Sequence, residues 1–188
     1  MDNMMERLAE SRLDSELIFN GKILHVYRDD VKLPDGGTAE REIIRHIGAV
    51  CIVPVTDDGN IVLEKQYRYA IGQVITEIPA GKLDFADEDP LAAAQRELKE
   101  ETGYTARNWQ KLGIFYPAAA YSDERITMFM ATGLEKGEQK LDSDEFVDFF
   151  EMPLKEAYER VMSGEIVDSK TQNGILKAVN ILGGYDII

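Results

Sequence analysis

The chain has 188 residues, 35 of them acidic and 21 basic, for a formal net charge of −14. That length suits one domain, or one domain with a small appendage, and the charge repels phosphate backbones, which argues against sequence-independent nucleic-acid binding. No apolar run approaches the roughly 20 residues of a membrane span, and the first residues lack the apolar stretch of a signal peptide, so a cytoplasmic protein is expected.

Residues 1–13 read as a frayed or helical lead-in. Residues 23–33 have extended character, Pro34-Asp35-Gly36-Gly37 is a turn, and 38–47 reads as a second strand. Residues 15–47 are thus expected to form an N-terminal hairpin or small sheet. The β-branched run 47–55 reads as a buried strand. It holds the single cysteine, Cys51, which is expected to be an inert core thiol because nothing around it would lower its pKa. A turn at 56–60 leads into 60–68, where Ile61 and Leu63 followed by polar positions suggest a half-buried partner strand. A short strand at 74–78 is expected to end at Pro79-Ala80-Gly81.

A helix follows over 90–102. Asp89 suits the N-cap, Pro90 the first helical position and Gly103 the left-handed residue past the end. Further strands are predicted at 107–115, 125–132 and 146–152, then helices from Pro153 to about Ser163 and over 169–182. Strands on both sides of one helix, with helices at the end, predict a mixed α/β sandwich.

The helix at 90–102 carries the chemistry. Glu97, Glu100 and Glu101 stand at i, i+3 and i+4 and share one helical face. Like charges so placed weaken a helix by about 0.2–0.5 kcal/mol per pair. A hard divalent cation with oxygen ligands would give the crowding a purpose.

The stretch from Gly81 to Tyr104 resembles the signature of the Nudix hydrolases, glycine, five residues, glutamate, seven residues, then Arg-Glu-apolar-x-Glu-Glu-x-Gly-apolar. Gly81, Glu88, Arg96, Glu97, Leu98, Glu100, Glu101 and Gly103 match, and Tyr104 takes the last apolar place. Six residues rather than five separate Gly81 from Glu88. Asp87 therefore competes for the first acidic position, but the spacing to Arg96 favours Glu88.

The resemblance implies a Nudix-type α/β/α sandwich with a mixed sheet over residues 47–188, preceded by a small antiparallel β region over 1–46 that serves dimerisation and the substrate pocket. It implies Mg²⁺, or Mn²⁺, held by Glu97, Glu101, Glu100 and the carbonyl of Ala80, with Arg96 orienting Glu100. It also implies hydrolysis of a nucleoside diphosphate linked to another moiety.

Beyond the box, Glu77-Ile78-Pro79-Ala80-Gly81, Arg41-Glu42-Ile43, Gly48-Ala49-Val50, Gln66-Tyr67-Arg68, Ser122-Asp123-Glu124 and Asp168-Ser169-Lys170-Thr171 resemble the ADP-ribose pyrophosphatase branch. Members of that branch cut ADP-ribose to AMP and ribose 5-phosphate and are usually homodimers that exchange their N-terminal sheets. Carried over, Arg68 and Glu77 would contact the phosphate and ribose side of the substrate, and Arg41 or Arg45 the diphosphate. A catalytic base is expected in the acidic loop 141–146, at Glu145, with Asp142 and Asp144 as fallbacks.

One departure concerns the substrate. Ala118-Ala119-Ala120 stands where ADP-ribose members often carry Ser-Pro-Gly, and Tyr121 follows. GDP-mannose, dinucleoside polyphosphates and a non-catalytic ADP-ribose-sensing module are the alternatives. Tyr27, Tyr67, Tyr69 and Tyr121 suit packing better than stacking on a base.

Overall fold

The structure, a computed structural model, describes residues 4–141, 143 and 145–183. The chain divides into two compact units. One runs to Ile47 and takes in Ala118–Arg125; the other holds Gly48–Pro117 and the chain from Ile126 onward. The inclusion of 118–125 in the first unit was not foreseen.

The first unit is an antiparallel sheet of β1 (Ser11–Asn20), β2 (His25–Lys32) and β3 (Thr38–Arg45), in that order, with a short helix α1 (Met4–Leu8) before it. The strand β1 corrects the expected lead-in, since only Met4–Leu8 is helical. All ten of its residues are exposed, the apolar Leu17-Ile18-Phe19 among them. The segment 118–125 is laced to the end of β3. The Ile44 N–H donates to the Tyr121 carbonyl at 2.7 Å, and the Asp123 N–H to the Ile44 carbonyl at 3.1 Å. The Asp123 carboxylate accepts from the His46 N–H at 2.7 Å. The Ser122-Asp123-Glu124 motif is thus a brace on β3.

The second unit is built on a seven-stranded sheet of β4 (Ala49–Val55), β5 (Asn60–Arg68), β6 (Gln73–Glu77), β7 (Ala80–Lys82), β8 (Thr105–Phe115), β9 (Ile126–Glu135) and β10 (Val147–Pro153). Its main path is β10-β5-β4-β9-β8, with β6 beside β5 and β7 beside β4. The β4–β9 pair is parallel and the other pairs are antiparallel. The sheet is mixed, as expected. The chain does not stop at Pro79: residues 80–82 form the extra strand β7 on β4.

Alternate residues of β4 and β5 enter two cores. Val50, Ile52 and Val62 pack with Ala94 and Leu98 of α2 (Pro90–Thr102). Cys51, Val53, Ile61 and Leu63 pack with Leu154 of α3 (Leu154–Met162) and Ile175 and Ala178 of α4 (Ser169–Leu182). The unit is therefore an α/β/α sandwich, and the first half of β5 is buried on both faces rather than half-buried.

Candidate active site

The site grows from α2 and its two flanks. The Asp89 side chain caps the helix, accepting from the N–H groups of Leu91 and Ala92. Gly103 ends it at φ 74°, a left-handed turn open to glycine. The last turn leaves carbonyls without intrahelical partners, and the following loop uses them. The Lys140 N–H donates to the Glu100 carbonyl at 2.9 Å. The Gln139 amide donates to the Glu101 carbonyl at 2.5 Å and to the Val147 carbonyl at 3.3 Å. The loop that carries Glu145 is thereby tied to the end of the helix that carries the acids.

Within the box, Arg96 is the hub. Its guanidinium lies 2.9 Å from Glu97, 3.3 Å from Glu100, 3.3 Å from Glu88 and 3.5 Å from Asp84. Burial alone would lower its pKa, but Glu97, Asp84 and Glu88 raise it, so its charge is permanent. Glu88 holds the first acidic position. Its carboxylate reaches Arg96 and accepts from the Asp84 N–H at 2.7 Å, which closes the six-residue loop.

Glu97 and Glu101 are buried, while Glu100 is half-exposed. Burial pushes Glu97 up to about 7, against the pull of Arg96. Glu101 is raised well above the carboxylate range by burial and then by the charges of Glu64 and Glu97, although the Ala80 N–H donates to it at 3.0 Å. Gly81 makes room for Glu97: a Cβ built there would overlap its carboxylate. Among the described residues, no three acids or histidines already converge as a finished metal cage. Glu97 is turned to Arg96 and Glu101 to Ala80. The donor set is nonetheless all oxygen, lies on one helix face and sits over a cradle that only glycine leaves open. That chemistry fits a hard divalent cation.

Glu77 and Arg68 form a second cluster. The Glu77 carboxylate is 2% exposed and is gripped by Arg68 at 2.7 Å and Lys170 at 2.6 Å. Lys170 is steadied by Asp168 at 3.1 Å, and Asp168 caps α4 by accepting from the Thr171 N–H. The Thr171 hydroxyl accepts from the Ile78 N–H at 2.9 Å. The 168–171 motif therefore locks the Glu77–Ala80 entry in place. Glu77 is engaged by these cations, whereas the Arg68 side chain stays partly exposed.

Glu145 lines a pocket of about 480 Å³ with Lys65, Tyr67, Val74, Phe146 and Asp148. Its charge is felt by Glu64, Glu97 and Glu101 alike. Asp142 and Asp144 lie outside the described residues. In the first unit, Arg41 pairs with Glu10 at 2.5 Å, and Arg45 pairs with Asp29 at 2.7 Å and lies over the Tyr27 ring. Tyr67, Tyr69 and Tyr121 are exposed, which corrects the expectation that they serve packing.

Sequence reasoning missed Glu64. An acid directly after Ile61-Val62-Leu63 fits the polar positions of a half-buried strand, yet it is fully buried. It also missed the partnership of Lys170 with Glu77, because residues 93 apart carry no local signal.

The NUDIX domain model matches residues 45–169, and that of the nucleoside diphosphate sugar hydrolase N-terminal domain matches 10–44. The chain belongs to the Nudix hydrolase family. It is 44% identical over 173 residues to a Bacillus subtilis protein named ADP-ribose pyrophosphatase, covering 91% of this chain and 93% of that one. It is also 44% identical to a Bacillus methanolicus protein named methanol dehydrogenase activator, covering 89% and 91%. A crystal structure of an ADP compounds hydrolase superimposes with a TM-score of 0.83 at 22% identity, covering 95% of this chain and 97% of that one, which shows the shared fold.

Proposed function

We propose that the chain hydrolyses the pyrophosphate of a nucleoside-diphosphate sugar, ADP-ribose to AMP and ribose 5-phosphate, with Mg²⁺ as cation and Mn²⁺ able to replace it. The observation that carries this reading is the Arg96 hub holding Glu97 and Glu100 beside the open Gly81 cradle. The similarity to the B. subtilis protein supports the substrate.

Glu97, Glu101, Glu100 and the Ala80 carbonyl would hold the cation. When bound, it neutralises diphosphate charge and makes a water more acidic. Arg96 fixes the carboxylates it touches. Glu145 takes the proton from the attacking water, and its anchored loop keeps it near the acids. Arg68, set by Glu77 and partly exposed, offers its guanidinium to phosphate oxygens, for which the planar fork is suited. Glu77 acts by positioning Arg68 rather than by touching substrate. Arg41, paired with Glu10, or Arg45, paired with Asp29, reaches the diphosphate.

A homodimer through the N-terminal region fits the first unit, whose strand β1 leaves Leu13, Leu17, Ile18 and Phe19 exposed for a second copy to cover. A cytoplasmic location completes the reading. Among the described residues no helix is long and apolar enough to cross a membrane.

The test is a hydrolysis panel of ADP-ribose, ADP-glucose, GDP-mannose, NADH and diadenosine polyphosphates with Mg²⁺, comparing wild type with Glu101→Gln. ADP-ribose is expected to rank first, and Glu101→Gln to be inactive. Equal turnover by both proteins would refute the metal assignment. Binding of ADP-ribose without turnover under any divalent ion would instead make the chain a sensing module.

A further inference from the structure

Glu64 stands on β5 where the mechanism does not use it. Along this strand Ile61 and Leu63 enter the core under α3 and α4, while Val62 enters the core under α2. By alternation Glu64 follows Val62 toward α2. It is 0% exposed, and neither carboxylate oxygen has a hydrogen-bond partner among the described residues. Its register partner across the sheet is Glu77, another acid, and both oxygens of Glu77 are already served by Arg68 and Lys170. Glu77 in turn lies three residues before Ala80, whose N–H donates to Glu101. A buried acid with no partner, on the side of the sheet that α2 covers, is stable only if something positive or a proton joins it.

We propose that Glu64 is a further ligand of the divalent cation, supplied by β5 opposite the carboxylates of α2. The inference rests on the metal-dependent reading above and deepens it. It explains why an acid occupies a position whose sequence neighbours Ile61, Val62 and Leu63 are all apolar. It also explains why Glu64 lacks the arginine or lysine that Glu77 and Glu97 have found.

The experiment is titration of the whole protein with Mn²⁺, read by the electron spin resonance of free Mn²⁺, for wild type, Glu64→Gln, Glu64→Leu and Glu101→Gln. The rise in melting temperature on adding Mn²⁺ is measured in parallel. Both Glu64 variants remove an unpaired buried carboxyl group and are expected to fold, melting at or above wild type in EDTA. They are expected to bind Mn²⁺ at least about tenfold more weakly, in the range seen when groups around a metal are lost, and to gain less melting temperature from it. Unchanged affinity in both Glu64 variants, with Glu101→Gln impaired, overturns the role of Glu64 and leaves the metal site standing. No Mn²⁺ binding by wild type overturns both readings.

Discussion

Gly81 and Glu97 occupy space that only one side chain can fill: a Cβ on Gly81 would sit inside the Glu97 carboxylate. The obstacle is the far end of a flexible side chain rather than backbone, and Gly81 does not have a positive φ. Gly81→Ala is therefore expected to cost little stability and to turn Glu97 out of place. Hydrolysis should fall about 100-fold, as when the orientation of a metal ligand is lost, while the circular dichroism melt moves by only a few degrees. Full activity in a folded Gly81→Ala protein would show that the cradle is incidental.

Arg96 holds four carboxylates at distances from 2.9 to 3.5 Å. Lysine keeps the charge and loses the planar fork. Arg96→Lys is expected to fold, and to lose about 10- to 100-fold in cation affinity and in kcat. Isothermal titration with Mg²⁺ and steady-state kinetics check this. A variant with wild-type values would show that Arg96 only neutralises the loop.

The parts of this site that were legible in sequence are those decided locally. Asp89, Pro90 and Gly103 delimit α2 through backbone chemistry within a few residues of each end, and the spacing of Glu97, Glu100 and Glu101 follows from the helical period. Glu64 was not legible, because an acid next to three apolar residues looks the same on an edge strand as on a central one. Its burial is decided by α2, α3 and α4 covering both faces of β5. The start of β1, residues 11–14, lay outside the expected sheet for the opposite reason, as the strand is held by pairing with β2 and buries nothing of its own.

Lys170 neutralises Glu77 inside the second unit, both being nearly inaccessible. Removing one partner of a buried pair leaves an uncompensated charge, which typically costs 3–5 kcal/mol. Because Arg68 also holds Glu77, Lys170→Met is expected to cost about 3 kcal/mol. Urea unfolding of Lys170→Met and of the double variant with Glu77→Gln measures it. Recovery of stability in the double variant is expected, and equal loss in both would assign the effect to packing of the lysine stem.

Cys51 is 0% exposed in the core beneath α4, and burial pushes its thiol up to about 12. Both the missing thiolate and the missing access predict silence toward an aromatic disulfide reagent at pH 8. One thiol per chain should appear on adding denaturant. Rapid titration of the native protein would contradict the placement of β4.

The buried acids set a pH dependence for the metal-free protein. Burial, then the charge of Glu77, pushes Glu64 up to about 8 from an ordinary value of 4.5. Between those values the folded chain keeps a proton that the unfolded chain has lost. Folding then takes up a proton, and stability falls as pH rises. The contribution is fully present below about 4.5 and is lost as pH climbs through about 8. Glu97, raised to about 7, acts in the same direction. In EDTA the melting temperature of wild type should therefore decline from pH 6 to pH 9. Glu64→Gln should decline less over the same range, since general repulsion among surface charges is common to both proteins and cancels in the comparison. Identical slopes would mean that Glu64 does not change its proton content on folding.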